Sequence, residues 1–238
     1  MKEISIIIPI LNESENVKLL IPEISKNIKI LKILKYEIIL VDDNSEDQIE
    51  LVVKKLRKKF KSLKLLIRKK KDKDLSKSCI LGFEKSKYKN ILVMDGDFQH
   101  HPKYILNLVR NFNRTNCDIV VGARDLTSTK KTKLSIFRLG SSFIVTTFLN
   151  IAFGKKTSDP LTGFFLFKKE IYKKNKKLLF AKGYKILADL IYSSKEKLNI
   201  VDVGINFGNR AKGESKMSFK ILIILISFIA QKFQNRVF

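Results

Sequence analysis

Histidine and cysteine are scarce, with two of each in 238 residues. Cys79 and Cys117 sit in or beside apolar runs and lack the spacing of a metal-ligand cluster. They are expected to be buried thiols of a reducing compartment rather than a disulfide. No internal repeat and no Pro- or Ser-rich linker divides the chain. Its length suits one domain with a full core, or one domain with a short appendage. A strand-like run, Ile4 to Ile10, begins almost at once, and no signal-peptide architecture precedes it. Secretion is therefore not expected.

What is abundant is apolar surface and positive charge. Hydrophobic residues make up 45% of the chain, which excludes intrinsic disorder. The formal net charge is +25. Such a field attracts nucleic acid, anionic lipid or phosphorylated substrates, and it equally describes a chain that places lysine at every solvated position. Charge alone selects no partner. A nucleic-acid binder would in addition need aromatics interleaved with the basic residues for base stacking. No clear set of them is present, so nucleic acid is not an expected partner.

Strand and helix signals alternate along the first half. Ile4 to Ile8 is a mostly β-branched run that stops at Pro9, the mark of a strand buried on both faces. Helical spacing follows from Asn12 to Ile30, with Pro22 inside as a candidate kink. Further strands are expected at Tyr36–Val41, Lys64–Ile67, Asn90–Met94 and Asp118–Gly122. Helices are expected at Glu46–Phe60, Ser76–Lys87 and Pro102–Asn113. This order predicts an open α/β fold, with a mostly parallel central sheet and helices on both faces. Ligands in such sheets bind beyond the carboxyl ends of the strands.

The second half reads differently. Leu134 to Phe153 is apolar apart from Arg138 and small polar residues, and lysines flank it. A strand at Phe165–Phe167, a helix around Ile186–Ser194 and a strand-like run at Ile200–Phe207 follow. The tail holds an uncharged run, Ile221 to Ala230, bracketed by Lys216, Lys220, Lys232 and Arg236. That is too short for a crossing, which needs about 20 residues. A cation-edged apolar helix suits the membrane headgroup boundary, the alternatives being a docked core helix or a tilted partial span. The expected division is a catalytic domain over 1–216 and an amphipathic, interfacial C-terminal helix over 217–238.

Asp95-Gly96-Asp97 is the strongest local feature. Two carboxylates two positions apart, leaving a buried strand, repel each other unless a cation neutralises them. Hard oxygen ligands suit Mg²⁺ or Mn²⁺, and Gln99, His100 or His101 would add a further ligand. Elsewhere an Asp-x-Asp is an ordinary surface turn, and here its position after Ile91-Leu92-Val93-Met94 is what distinguishes it. Asp42-Asp43-Asn44-Ser45 offers acceptors to a base or ribose, or a helix N-cap at Ser45. Pro9 to Glu13 would frame the same site from the other side. Arg124, Arg138 and Arg210 have the bidentate geometry that phosphate needs, although each alone also reads as a solvated surface residue.

Together these segments resemble the family 2 glycosyltransferases, and within them the polyprenol-phosphate (dolichol-phosphate) mannosyltransferase group. The resemblance runs over nearly the whole chain. It rests on Ser5-Ile6-Ile7-Ile8-Pro9-Ile10-Leu11-Asn12-Glu13, Val41-Asp42-Asp43-Asn44-Ser45 and Met94-Asp95-Gly96-Asp97-Phe98-Gln99-His100. It continues through Gly122-Ala123-Arg124, Asp159-Pro160-Leu161-Thr162-Gly163-Phe164, Gly183-Tyr184-Lys185-Ile186-Leu187 and Arg210-Ala211-Lys212-Gly213-Glu214-Ser215-Lys216. The chain departs from the pattern at Gly96, usually Ala, at Leu11, usually Tyr, and at Asp189, usually Glu. Lys73-Asp74-Leu75-Ser76-Lys77-Ser78 stands where the family has a Gly-rich loop.

The resemblance implies a GT-A fold, that of the nucleotide-diphospho-sugar transferases, with inversion at the anomeric carbon. By match, Pro9, Leu11, Glu13, Asp42, Asp95 and Lys216 would bind the nucleotide sugar, and Asp95, Asp97 and Gln99 the metal. Arg124, Arg138, Ser142 and Arg210 would bind a lipid phosphate, and Asp97, Arg124 and Asp189 would serve catalysis. The expected reaction moves a hexose, mannose from GDP-mannose, onto a dolichyl or undecaprenyl phosphate. UDP-glucose or a UDP-aminosugar donor with undecaprenyl phosphate is the alternative. The expected setting is the cytoplasmic face of a membrane, peripheral or monotopic, with a separate membrane subunit as a possible partner.

Overall fold

A computed structural model of the chain describes residues 1–70, 72–124, 146–183, 185–206 and 226–234. The strands are β1 (Glu3–Ile10), β2 (Lys35–Asp42), β3 (Leu63–Ile67), β4 (Asn90–Val93), β5 (Ile119–Arg124), β6 (Phe165–Lys168) and β7 (Ile200–Ile205). The helices are α1 (Ser14–Ile30), α2 (Ile49–Lys59), α3 (Leu75–Lys85), α4 (Ile105–Thr115), α5 (146–153), α6 (Lys169–Asn175), α7 (Ile186–Ser193) and α8 (226–234).

All seven strands form one sheet in the order β3-β2-β1-β4-β6-β5-β7. Six run parallel, and β6 lies antiparallel between β4 and β5. The mostly parallel sheet is therefore as expected. The insertion of β6 is not visible locally, because its partners Asn90–Val93 and Ile119–Val121 lie far back in the chain. Helix α6, directly after β6, was also missed.

The β-branched runs are buried on both faces because successive side chains alternate. Ile4, Ile6, Ile8 and Ile10 of β1 join a core with α1, α2 and α4. Ile7, Ile39, Val41, Ile91 and Val93 join a second core with α3, α5, α6, α7 and α8. Both cysteines are free and buried, as expected. Burial, with Asp95 and Asp74 adding to it, pushes the Cys79 thiol well above its ordinary value.

Two prolines behave differently from their sequence reading. Helix α1 runs through Pro22 as one element. Strand β1 does not stop at Pro9 but pairs on to Ile10, opposite Asp42. The pairing of β1 with β4 ends at Ile7, whose carbonyl accepts from Met94. Alternation turns Pro9 to that same side, where the ladder has already ended, so its missing N–H loses no bond.

The described part of the tail, α8, docks through Phe228 into the second core, with the Phe180 ring 5.7 Å away. Lys232 goes in beside it, fully buried. Phe233 meets Phe153 of α5 at 5.0 Å, so α5 and α8 are neighbours. Among the described residues no helix is long and apolar enough to cross a membrane.

Candidate active site

The carboxyl ends of β1 and β2 are tied together first. Asn12, held in the left-handed region at φ 58°, donates its backbone N–H to Ser45 Oγ at 2.8 Å. Its side-chain oxygen accepts from Glu46 N at 2.9 Å, and Ser14 N donates to Asp47 at 2.8 Å. Asp42 accepts from both the N–H and the hydroxyl of Ser45. Ser45 thus closes a turn and caps no helix, since α2 begins at Ile49. Pro9 is buried at the end of β1, whereas Leu11 is exposed.

Asp43 and Arg68 extend this edge across β3. Arg68 Nε donates to Asp43 at 2.6 Å, and Asp74 N donates to the other Asp43 oxygen at 2.5 Å. Burial opposes the Arg68 charge, but hydrogen bonding to Asp43 and the nearby carboxylates raise its pKa. Asp74 caps α3, accepting from Lys77 N at 3.1 Å, and accepts from Gly183 N at 2.9 Å. Asp74 therefore fastens α3 to the segment before α7. Asp43 was part of the acceptor run read from sequence, whereas Arg68 and Asp74 were not singled out as site residues. For those two the one local signal was the N-cap propensity of Asp74.

The Asp95–His100 segment leaves β4 at the same edge. Asp97 is buried, and its carboxylate accepts from Gln99 N at 3.1 Å. Asp95 is partly exposed, with His100 Nδ1 at 3.2 Å. The His100 ring stacks on Phe164 at 5.3 Å. A methyl group on Gly96 would sit 2.9 Å from Ile10 Cγ2 and 3.7 Å from Glu13 Cγ. Gly96 thus fits beside a β-branched Ile10, and Glu13 flanks the acidic turn. Gly163 lies against Asp95 so closely that a Cβ there would be 2.4 Å from one carboxylate oxygen and 2.5 Å from the other.

Arg124 ends β5 and meets Asp159 in a fork, with Nε–Oδ2 2.6 Å and Nη2–Oδ1 2.8 Å. Burial works against the guanidinium charge, yet hydrogen bonding and the charge of Asp159 outweigh it, and its pKa is raised. Thr162 accepts from Phe164 N at 3.2 Å and donates to Gly122 O at 3.0 Å, so the 159–164 turn is tied to β5.

Pro9, Glu13, Asp42, Asp95, Asp97, Gln99 and Arg124 thus fall on the carboxyl edge of β1, β2, β4 and β5. Arg138, Ser142, Arg210 and Lys216 lie outside the described residues. Asp189 does not join that edge. It is buried in α7, accepts from Phe180 N at 3.0 Å and Ala181 N at 2.8 Å, and pairs with Lys232 at 2.5 Å. In that place the carboxylate holds the 180–181 turn and α8.

Comparison with known proteins places this geometry. Residues 5–175 match the family described as glycosyl transferase family 2. The chain is 32% identical over 222 residues to a dolichol-phosphate mannosyltransferase of Pyrococcus furiosus, covering 92% of this chain and 60% of that protein. It is 26% identical to the dolichol-phosphate mannosyltransferase of Mycosarcoma maydis, covering 98% of this chain and 79% of that one. The chain thus spans about three fifths of the length of the Pyrococcus protein. Among solved structures, glucosyl-3-phosphoglycerate synthase from Mycobacterium tuberculosis, in complex with Mn²⁺, UDP and glucosyl-3-phosphoglycerate, aligns with a TM-score of 0.69. That alignment covers 98% of this chain and 80% of the other at 18% identity, a likeness of fold alone. With a GT-A sheet, an acidic turn leaving β4 and a match over most of its length, the chain belongs to glycosyl transferase family 2.

Proposed function

We propose that this protein is an inverting glycosyltransferase that moves mannose from GDP-mannose onto a polyprenyl phosphate, dolichyl or undecaprenyl, at the cytoplasmic face of a membrane. The observation that carries the reading is the acidic turn after β4. Asp95 is held between His100 and Gly163, on the edge where the β1 and β2 loops are bonded together. The names of the relatives at 32% and 26% identity support the lipid-phosphate acceptor.

Both reactants carry phosphate, so the protein's task is to hold like charges in line. The acceptor phosphate is already anionic at neutral pH. One of its oxygens forms the new bond to the anomeric carbon while the bond from that carbon to the nucleoside diphosphate breaks. No strong base has to be supplied, in keeping with the two histidines of the chain. Arg124, set in place by its fork with Asp159, is the guanidinium that would meet phosphate at this edge.

Among the described residues no three His, Cys, Asp or Glu side chains form a closed metal cage. Mg²⁺ or Mn²⁺ does not need one, since such ions are held by one or two carboxylates together with substrate phosphates. Asp95, Asp97 and Gln99 fit that role, with the close Gly163 backbone leaving the Asp95 carboxylate its space. The bound ion would neutralise charge on the departing diphosphate.

Four apolar side chains on α5 and α8, Phe148, Ile151, Ile226 and Phe233, are between 46% and 79% exposed. With the net charge of +25, they support contact with an anionic bilayer surface. The test is transfer from radiolabelled GDP-mannose and UDP-glucose to a polyprenyl phosphate, with and without chelator. GDP-mannose should be the active donor, chelator should stop turnover, and Asp97→Ala should abolish it without unfolding the protein. Full activity of Asp97→Ala would refute the metal assignment, and transfer from UDP-glucose alone would refute the donor.

A further inference from the structure

Among the described residues two lysines are buried on the α7 side of the molecule, and they are treated differently. Lys232 has acceptors in Leu178 O at 2.9 Å, Ser193 Oγ at 2.6 Å and Asp189 at 2.5 Å. Lys185, only 9% exposed, has no hydrogen-bond partner for its Nζ among the described residues. Burial alone acts on its ammonium and pushes its pKa down to about 8, with no carboxylate offsetting it. An unpaired buried charge opposes folding, and native chains retain such groups chiefly where function uses them.

The position of Lys185 gives that use. It starts α7, two residues after Gly183. Gly183 is bonded through both backbone groups to the start of α3: its N–H donates to Asp74 at 2.9 Å and its carbonyl accepts from Ser76 N at 2.9 Å. Asp74 in turn donates its N–H to Asp43, the residue after β2. The unpaired ammonium thus belongs to a segment fastened to the ligand edge of the sheet.

We propose that Lys185 is a phosphate-binding residue of the transfer site, whose missing counter-ion is a substrate phosphate. This rests on the reading that both reactants carry phosphate. An ammonium has three donors and no acceptor, and a phosphate presents a matching set of anionic acceptors. The phosphate is that of the nucleoside diphosphate or that of the lipid acceptor, and two probes separate them.

The full chain, as wild type, Lys185→Met, Lys185→Gln and Lys185→Arg, is titrated with GDP plus Mn²⁺ and, separately, with citronellyl phosphate, a short isoprenyl phosphate. Melting temperatures are recorded without ligand. Removing the charge should leave the ligand-free melting temperature unchanged or higher, and should weaken one probe by about ten- to a hundredfold. Lys185→Arg should restore part of the loss. Weakened GDP binding assigns the donor diphosphate, and weakened citronellyl phosphate binding assigns the acceptor. If both neutral variants bind both probes like wild type, the assignment to Lys185 is overturned while the proposed function stands. If both neutral variants melt well below wild type, or do not fold, Lys185 is structural and the assignment is likewise overturned. A wild-type protein that binds neither probe overturns both readings.

Discussion

A single methyl group added at Gly163 tests whether the Asp95 carboxylate is the working centre of the site. In the structure the new Cβ would lie 2.4 and 2.5 Å from the two Asp95 oxygens. Real Cβ atoms essentially never come within 3.0 Å of another group, and ordinary contact begins at 3.4 Å. The carboxylate or the 159–164 turn must therefore yield by about 0.6 to 1 Å. A misplacement of about 1 Å can cost about a hundredfold in rate, or about 2.7 kcal/mol of transition-state stabilisation. The backbone at Gly163 is not in the left-handed region, so the methyl adds no conformational strain of its own. Overpacking should cost about 1–3 kcal/mol of stability. Gly204→Ala is the control, because nothing lies within 4 Å of a Cβ there. Steady-state transfer to a short polyprenyl phosphate, with thermal unfolding alongside, reads both effects. Gly163→Ala should lose about two orders of magnitude in kcat/KM and remain folded, with Gly204→Ala near wild type. Wild-type turnover by Gly163→Ala would mean that the position of Asp95 does not matter to the reaction.

Two further outcomes follow from ion pairs and a third from the unpaired Lys185. Asp159→Asn leaves Arg124 facing an amide in place of a carboxylate, and should lower kcat/KM by about ten- to a hundredfold, a charged hydrogen bond being worth about 1.5–3 kcal/mol. Unchanged kinetics would show that Asp159 does not position that guanidinium. Lys232→Met leaves a buried carboxylate short of its counter-ion and should cost about 3–5 kcal/mol in urea unfolding, with part recovered in the Lys232→Met, Asp189→Asn double variant. Strict additivity would exclude the coupling. Lys185 has a folded pKa of about 8 against an ordinary 10.5, so the unfolded chain binds more protons between those values. Stability should therefore rise with pH across that window, by about 1–2 kcal/mol after allowance for solvent screening, and Lys185→Met should lose the rise. A flat difference between the two proteins across that window would contradict the burial of an uncompensated ammonium.

Much of the candidate site was legible because it is written locally. Asp95-Gly96-Asp97 follows an apolar strand, and a carboxylate pair leaving the carboxyl end of a parallel strand is placed by the strand itself. The same holds for Asp42 at the end of β2, for Pro9 near the end of β1 and for Glu13 after it. The surroundings of Asp189 were not legible, for the opposite reason. Its place after Gly-Tyr-Lys-Ile-Leu says nothing about Lys232, which comes from a later helix and encloses it. The glycine at 163 was part of a recognised segment, but its function depends on Asp95 arriving from β4.

The amino-acid order by itself determined the alternation of strands and helices, the burial of β1 and β4, and the sheet edge on which the candidate site residues fall, because period and turn chemistry act within a few residues. Tertiary structure alone decided that β6 inserts between β4 and β5, that Arg124 is preset by Asp159, and that Lys232 is paired while Lys185 is not. Those outcomes depend on groups tens of positions apart meeting in a low-dielectric interior, where a missing partner costs far more than it does in water.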